Sequence, residues 1–169
     1  MNAYEATKSD LFKAPQLRPH LRMWKYQWIG IPLILIMPIL AIMGVFGREI
    51  KNLNITGGGI TAQIEYPSKI RYGQEEFIRV ELTNDSSKTM RDVSVSFDKN
   101  YIQKFDGSEF KPQADINYFV KAGDISPGNK KILEVKLKAG ERGSNSGKII
   151  ISSRNKEIIS EELNTFIFP

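Results

Sequence analysis

The stretch Ile60-Thr61-Ala62-Gln63-Ile64-Glu65-Tyr66 decides the fold class, because apolar and polar residues alternate along it without interruption. Successive side chains of a β-strand point to opposite faces, so the alternation predicts a strand with one buried face and one solvated face. Pro67 follows directly and is expected to end the strand, and Tyr72-Gly73-Gln74 supplies a turn. The folded part of the chain therefore begins with a half-buried strand.

Strand-like segments recur along the rest of the chain. Six further segments are expected to be strands, namely 76–82, 93–97, 116–120, 133–137, 148–153 and 157–168. Turn-forming runs separate them, among them Asn84-Asp85-Ser86-Ser87 and Asn155-Lys156. The segment 98–115 is less regular and is expected to be a long loop or a short edge strand. About seven strands without a soluble helix predict an all-β, Ig-like antiparallel β-sandwich over residues 60–169.

Several of these segments together resemble the bacterial and archaeal Ig-like modules of the CARDB kind. The resemblance covers residues 60–168 and rests on Tyr72-Gly73-Gln74 before Phe77–Asn84, on Val93-Ser94-Val95, and on Ile125-Ser126-Pro127-Gly128 ahead of a strand. The segment 98–115 departs from the usual compact pattern and leaves the order of the middle strands open. The resemblance implies an adhesion, scaffolding or accessory role, without catalytic residues.

Upstream of the β segments, residues 26–47 contain no Asp, Glu, Lys or Arg. As a helix, this run would rise roughly 33 Å, against about 30 Å for the hydrocarbon core of a bilayer. We expect a transmembrane helix at 28–47, a cytoplasmic juxtamembrane tail at 1–27, and a connector at 48–59 ending in a flexible Gly57-Gly58-Gly59 hinge. The alternatives are a buried helix, which short β segments could not wrap, and a cleaved signal peptide, whose apolar region is shorter.

The charges that flank this helix predict its orientation. Residues before it carry five positive and two negative charges, a net charge of +3. Positive residues resist translocation, so the N-terminus is expected in the cytoplasm and the C-terminal domain outside it, in the periplasm or at the cell surface. The predicted contacts at the membrane interface are Trp24, Lys25, Tyr26, Trp28 and Phe46. The residues expected to shape helix packing against other membrane subunits are Gly30, Pro32, Pro38, Gly44 and Gly47.

The composition argues against catalysis and cofactors. The chain has no cysteine, and its only histidine, His20, precedes the predicted membrane helix. A transition-metal site or a histidine-dependent triad in the folded domain is therefore not expected. The acidic candidates for a carboxylate pair are Glu75-Glu76, Asp106 with Glu109, and Glu161-Glu162. Residues 48–169 carry 19 basic and 17 acidic residues with interspersed signs, so nucleic acid is not an expected partner either.

Aromatic residues concentrate around the irregular segment and form the candidate partner contact, comprising Tyr101, Phe105, Phe110 and Phe119. Aromatic side chains exposed on a loop are favoured interface anchors. The alternative is that these rings plug one end of the sandwich. The leading hypothesis is a non-catalytic accessory subunit of a larger integral-membrane complex, in contact with lipids and other subunits. A free membrane-tethered adhesion module and a carboxylate-based enzyme are the second and third hypotheses.

Overall fold

The computed structural model describes the backbone of residues 22–42 and 47–169 and the side chains of 29–42 and 47–169. The chain divides into two compact units, residues 1–45 and residues 46–169. Predictions that concern residues 1–21 and 43–46 lie outside the described residues.

In the first unit, helix α1 runs from Arg22 to Ile42 and contains Pro32 and Pro38. Nine of its large apolar side chains are exposed, namely Ile29, Ile31, Leu33, Ile34, Leu35, Ile36, Met37, Ile39 and Ile42, whereas Leu40 is half-buried. Among the described residues, no helix is long and apolar enough to cross a membrane. The predicted span at 28–47 continues past Ile42 into residues that are not described.

The second unit is mostly β-structure, as the alternation predicts. It contains the nine strands β1 (Glu49–Gly57), β2 (Ile60–Arg71), β3 (Glu75–Asn84), β4 (Met90–Phe97), β5 (Phe105–Lys111), β6 (Phe119–Ile125), β7 (Lys130–Ala139), β8 (Gly143–Ser153) and β9 (Lys156–Phe168), with a short helix α2 (Lys99–Gln103) between β4 and β5. The apolar rows predicted to face inward in β2, β3 and β7 are buried, which confirms the period of two in those strands.

The strands form one sheet that folds over on itself into a sandwich, in the order β5-β7-β3-β2-β9-β8-β4-β6, with β1 added on β2. Strand β2 forms the corner: residues 60–65 pair antiparallel with β3, and residues 69–71 pair parallel with β9. Pro67 lies at the switch and has no N–H to donate to β3. Pro67 therefore ends the pairing with β3 and not the strand, and the prediction that β2 stops there was wrong.

The irregular segment 98–115 contains structure that the pattern predicted only in part. Asp98 accepts a hydrogen bond from the backbone N–H of Asn100 at 2.7 Å and so caps α2, a helix that the sequence did not predict. Strand β5 follows and pairs only with β7 in the described part of the chain, which confirms the edge-strand alternative. Ile116 is 95% exposed and precedes β6, so the alternation predicted from residue 116 begins too early.

Two further predictions need correction. The final hairpin turns at Arg154-Asn155, where both residues have positive φ (51° and 62°), and not at Asn155-Lys156. The predicted connector at 48–59 is strand β1 with its turn, and β1 and β5 together raise the number of strands from about seven to nine. The alternation of Leu53 and Ile55 with Asn52 and Asn54 was the signal for this strand.

Candidate interaction edge

Strand β1 forms a long, regular edge of the sheet. It pairs antiparallel with β2 from Ile50 to Gly57, and the only shift in register lies between Glu49 and Ile50. Within the part of the chain that the structure describes, β1 has no other strand partner. An unpaired edge of this length presents backbone N–H and C=O groups that another strand can bind.

The hairpin geometry shows which backbone groups point to the open side. Gly57 pairs with Ile60 across a two-residue turn, and the residues that close such a turn bond to each other. Hydrogen-bonded and non-hydrogen-bonded pairs alternate along an antiparallel ladder. The backbone groups of Ile50, Asn52 and Asn54 therefore point away from β2. Ile50 lies opposite Pro67, which lacks an N–H and fits a non-hydrogen-bonded pair.

Side-chain contacts at the start of β1 hold it on the domain. Arg48 Nε lies 2.7 Å from Oε1 of Glu76, whose side chain is 9% exposed. Lys69 Nζ lies 2.7 Å from Oε2 of Glu49 directly across the two strands, and the hydroxyl of Ser68 donates to the carbonyl of Glu49 at 3.3 Å. The hydrogen bond and charge of Lys69 lower the pKa of the Glu49 carboxyl. The start of β1 is thus attached to both β2 and β3.

The triple glycine forms a tight turn at the other end of β1. Gly58 and Gly59 have φ of 56° and 83°, and a Cβ on Gly58 would lie 2.5 Å from a methyl carbon of Ile158. Positive φ at both central residues is the hairpin turn that matches the twist of the strands. The hydroxyls of Thr56 and Thr61 lie 2.9 Å apart across the ladder next to the turn. Gly57-Gly58-Gly59 is therefore a packed turn, and the predicted flexible hinge was wrong.

The side chains on the inward side of β1 differ in polarity and exposure along the strand. Leu53 and Ile55 are half-buried and pack against the core, whereas Lys51, on the same side of the strand, is exposed. Among the described residues, no carboxylate lies within 4.0 Å of the Lys51 ammonium. The edge therefore combines two half-covered apolar side chains with one positive charge that has no carboxylate within ion-pair distance among the described residues. Together with Lys69, this charge also lowers the pKa of the Glu49 carboxyl.

The structure separates the four predicted partner-contact aromatics. Tyr101 and Phe105 are 1% and 6% exposed and pack edge to face at 5.4 Å between ring centroids. The Tyr101 hydroxyl lies 2.8 Å from that of Thr165, and burial raises the Tyr101 pKa to about 12. These two rings are core, so their assignment as partner anchors was wrong. Phe110 and Phe119 are half-buried.

The remaining two aromatics line separate surface depressions. Phe110, with Tyr118 at 6.0 Å between ring centroids, borders a groove of about 480 Å³. Phe119 borders a second depression of about 390 Å³, together with Lys121 and Arg154. The four residues therefore do not form one common surface.

Two of the three predicted carboxylate pairs, Glu75-Glu76 and Glu161-Glu162, are split by the strands that carry them, and in the third pair Glu109 lies 3.7 Å from Lys111. Glu75 is exposed beside Lys136 at 2.7 Å, whereas the adjacent Glu76 is buried against Arg48. Glu161 and Glu162 are also neighbours on one strand and point to opposite faces. Among the described residues, no three His, Cys, Asp or Glu side chains converge as a metal site would require.

The predicted membrane residues are described only in part. The side chains of Trp24, Lys25, Tyr26 and Trp28, and all of Gly44 and Phe46, lie outside the described residues. Gly30, Pro32 and Pro38 belong to α1, and Gly47 precedes β1 in the second unit. No described contact tests their predicted role in helix packing.

Solved structures with similar β architecture share little sequence with this chain. The CARDB domain of a Pyrococcus furiosus protein, in complex with di-metal ions, is 12% identical, with a TM-score of 0.42 over 69% of this chain and 94% of that one. AvmM, which catalyses macrocyclization in alchivemycin A biosynthesis, is 10% identical, with a TM-score of 0.46 over 66% and 89%. Escherichia coli alpha-2-macroglobulin is 17% identical, with a TM-score of 0.44 over 66% and 9%. No family model and no curated protein matches the sequence.

Proposed function

We propose that the chain is a non-catalytic, membrane-anchored accessory subunit that binds a neighbouring protein along the open edge of β1. The observation that carries the proposal is the regular ladder from Ile50 to Gly57, in which β1 has one strand partner within residues 22–42 and 47–169, where a central strand has two. Edge strands of this kind bind extended segments by adding a strand to the sheet. The side-chain contacts at Arg48 and Glu49 hold β1 in place before any partner arrives.

In this proposal, residues 28–47 anchor the chain, with the N-terminus in the cytoplasm and the β domain outside it. The support is the uncharged run at 26–47 and the exposed apolar side chains of α1. Only six residues, 43–48, join α1 to β1. A partner in the same membrane, or close to its surface, is therefore the expected occupant of the edge.

The alternative of a free, hinged adhesion module loses its main argument. That hypothesis relied on Gly57-Gly58-Gly59 as a flexible linker, whereas these residues form the turn of the β1–β2 hairpin. The enzyme hypothesis relied on paired carboxylates, and Glu75 and Glu76 each pair with a basic side chain instead of with each other. The accessory role is the function that the geometry of the second unit supports best.

A pair of variants at one edge residue tests the binding proposal. Asn54→Pro removes an N–H that points away from β2, so it should block strand addition while preserving the hairpin. Asn54→Ala keeps the N–H and is the matched control. A photocrosslinking residue at Asn52 of the full chain, extracted in mild detergent, should yield one stoichiometric adduct that Asn54→Pro removes and Asn54→Ala retains. An adduct unchanged by Asn54→Pro, in a folded variant, would overturn the edge as the binding site.

A fractionation experiment tests the anchor. The full chain is expected in the membrane pellet after alkaline extraction, with the β domain accessible to protease only from outside the cell or spheroplast. Replacing Ile34, Leu35 and Ile36 by Lys should release the chain into the soluble fraction, since each charge opposes insertion. The control is the same triple replacement at exposed polar positions of the β domain. Release of the unaltered chain by alkaline extraction would contradict the anchor.

A further inference from the structure

We infer that the segment bound at the β1 edge is an extended strand whose inward row carries two apolar side chains followed by an acidic one that pairs with Lys51. This inference rests on the proposed function and specifies the chemistry of its partner. It follows from the row Ile55, Leu53 and Lys51, which lies on the core side of β1.

The two apolar residues of the row, Leu53 and Ile55, determine which residue types are favoured at the first two inward positions of the partner strand. Leu53 and Ile55 pack against the core from inside but remain half-exposed at the edge. An added strand places its own side chains directly beside them, so apolar residues there would extend the core by one strand and cover the remaining surface. Polar residues at those positions would be desolvated without a partner.

The charge of Lys51 sets the third position. Lys51 faces the core side, yet it is exposed and has no carboxylate within ion-pair distance among the described residues. An inward-facing lysine on an edge strand discourages unselective strand pairing, because a partner with an apolar or basic residue there must bury an unpaired charge. An acidic residue removes that obstacle. Lys51 therefore selects among extended segments, and β1 supplies the backbone contacts common to all of them.

The pattern has a defined spacing. In antiparallel addition the partner reads apolar-x-apolar-x-acidic from its N-terminus, with the apolar residues beside Ile55 and Leu53 and the acidic residue beside Lys51. The intervening positions face solvent next to Asn52 and Asn54 and carry little selectivity.

A phage-displayed library of linear nine-residue peptides, panned on the full chain in detergent, tests the inference. The expected result is enrichment of this spaced pattern, with acidic over basic residues at the third position by about two- to fivefold, the effect of one cross-strand charge pair. Lys51→Glu should reverse the preference at that position. Lys51→Met, which keeps the strand without a charge, should abolish the preference and retain the apolar pattern. Lys121→Glu, the same charge change on edge strand β6, is the control and should leave the pattern intact.

The outcomes separate the inference from the proposed function. If Asn54→Pro abolishes enrichment but Lys51→Glu leaves the acidic preference in place, the edge binds strands and the assignment of Lys51 is wrong. If enriched peptides bind Asn54→Pro as well as the unaltered chain, both the edge and the partner pattern are overturned. Circular dichroism of each variant verifies that its β structure is intact.

Discussion

Strands β1 and β5 lie at opposite ends of the same run of antiparallel strands, and they differ in regularity. β1 keeps an unbroken register with β2 from Ile50 to Gly57, whereas β5 shifts register against β7 between Phe105 and Gly107 and is followed by Pro112. The third edge strand, β6, is interrupted by shifts in its pairing with β4. Bulges and prolines protect sheet edges from unwanted pairing. This difference in regularity is why we propose β1, rather than β5 or β6, as the edge that binds a partner strand.

The largest expected effect comes from breaking the β1 turn. Gly58→Val places a β-branched residue at φ of 56° and drives its Cβ into Ile158, so the free energy of unfolding should fall by about 3 kcal/mol. Gly73→Val is the control, since Gly73 has φ of 75° but open space around it, and it should cost about 1–2 kcal/mol. Urea unfolding of the full chain, followed by circular dichroism, measures both. Equal losses would mean that the packing of the β1 turn is unimportant.

A second prediction concerns the β5 side, where Tyr101 packs on Phe105. The Tyr101 pKa of about 12 exceeds the ordinary value of 10, so the folded state keeps the phenol neutral while the unfolded state ionises. The stabilisation from the neutral Tyr101 phenol is fully present below pH 10 and is lost as the pH rises toward 12, by about 2 to 3 kcal/mol in total. Tyr101→Phe should remove this part of the alkaline loss. An identical pH profile in the two proteins would contradict the assignment.

A third prediction tests how the start of β1 is held. Arg48→Met leaves the Glu76 carboxylate buried without its 2.7 Å partner and should cost about 1–2 kcal/mol. Arg79→Met is the matched control, because Arg79 lies 4.0 Å from Glu134 and both side chains are about half-exposed. That loss should be close to zero. Urea unfolding at neutral pH compares the variants, and similar losses would show that burial of Glu76 adds nothing.

The smallest expected effect is the acid sensitivity of the Glu49–Lys69 pair. Lys69 lowers the Glu49 pKa below 4.5, so the contribution of this pair to stability is present above that pH and is lost as the pH falls through the lowered value. Lys69→Met should lower the unfolding midpoint slightly at pH 7 and leave it unchanged well below pH 4.5, so the stability lost on acidification becomes smaller. Glu75 and Glu81 retain their own lysine partners and are unaffected by the change. If Lys69→Met and the unaltered chain showed the same dependence of the unfolding midpoint on pH, the Glu49–Lys69 pair would not contribute to holding β1 on the domain.

Strands in which every second residue is apolar could be predicted from the sequence. Edge strands, where this alternation is shorter, were harder to predict. In β3, the inward residues Ile78, Val80 and Leu82 are fully buried, and their spacing alone predicted the strand. In β1, the same spacing is present only as Leu53 and Ile55, next to Lys51 and ahead of three glycines. Composition favoured a linker there, because glycine permits both a flexible hinge and a tight turn. Only the pairing with β2 distinguishes the two.

The sequence by itself determined the all-β character of the second unit, the apolar run at 26–47 and the lack of cysteine, since these depend on local period and composition. Tertiary structure decided which edge is open, that Tyr101 and Phe105 are core, and that Lys51 stands unpaired among the described residues. The physical reason is that pairing and burial join residues far apart in the chain, such as Tyr101 and Thr165. The alternation of apolar and polar residues indicates which side of a strand is buried, but it does not indicate which strands pair with it.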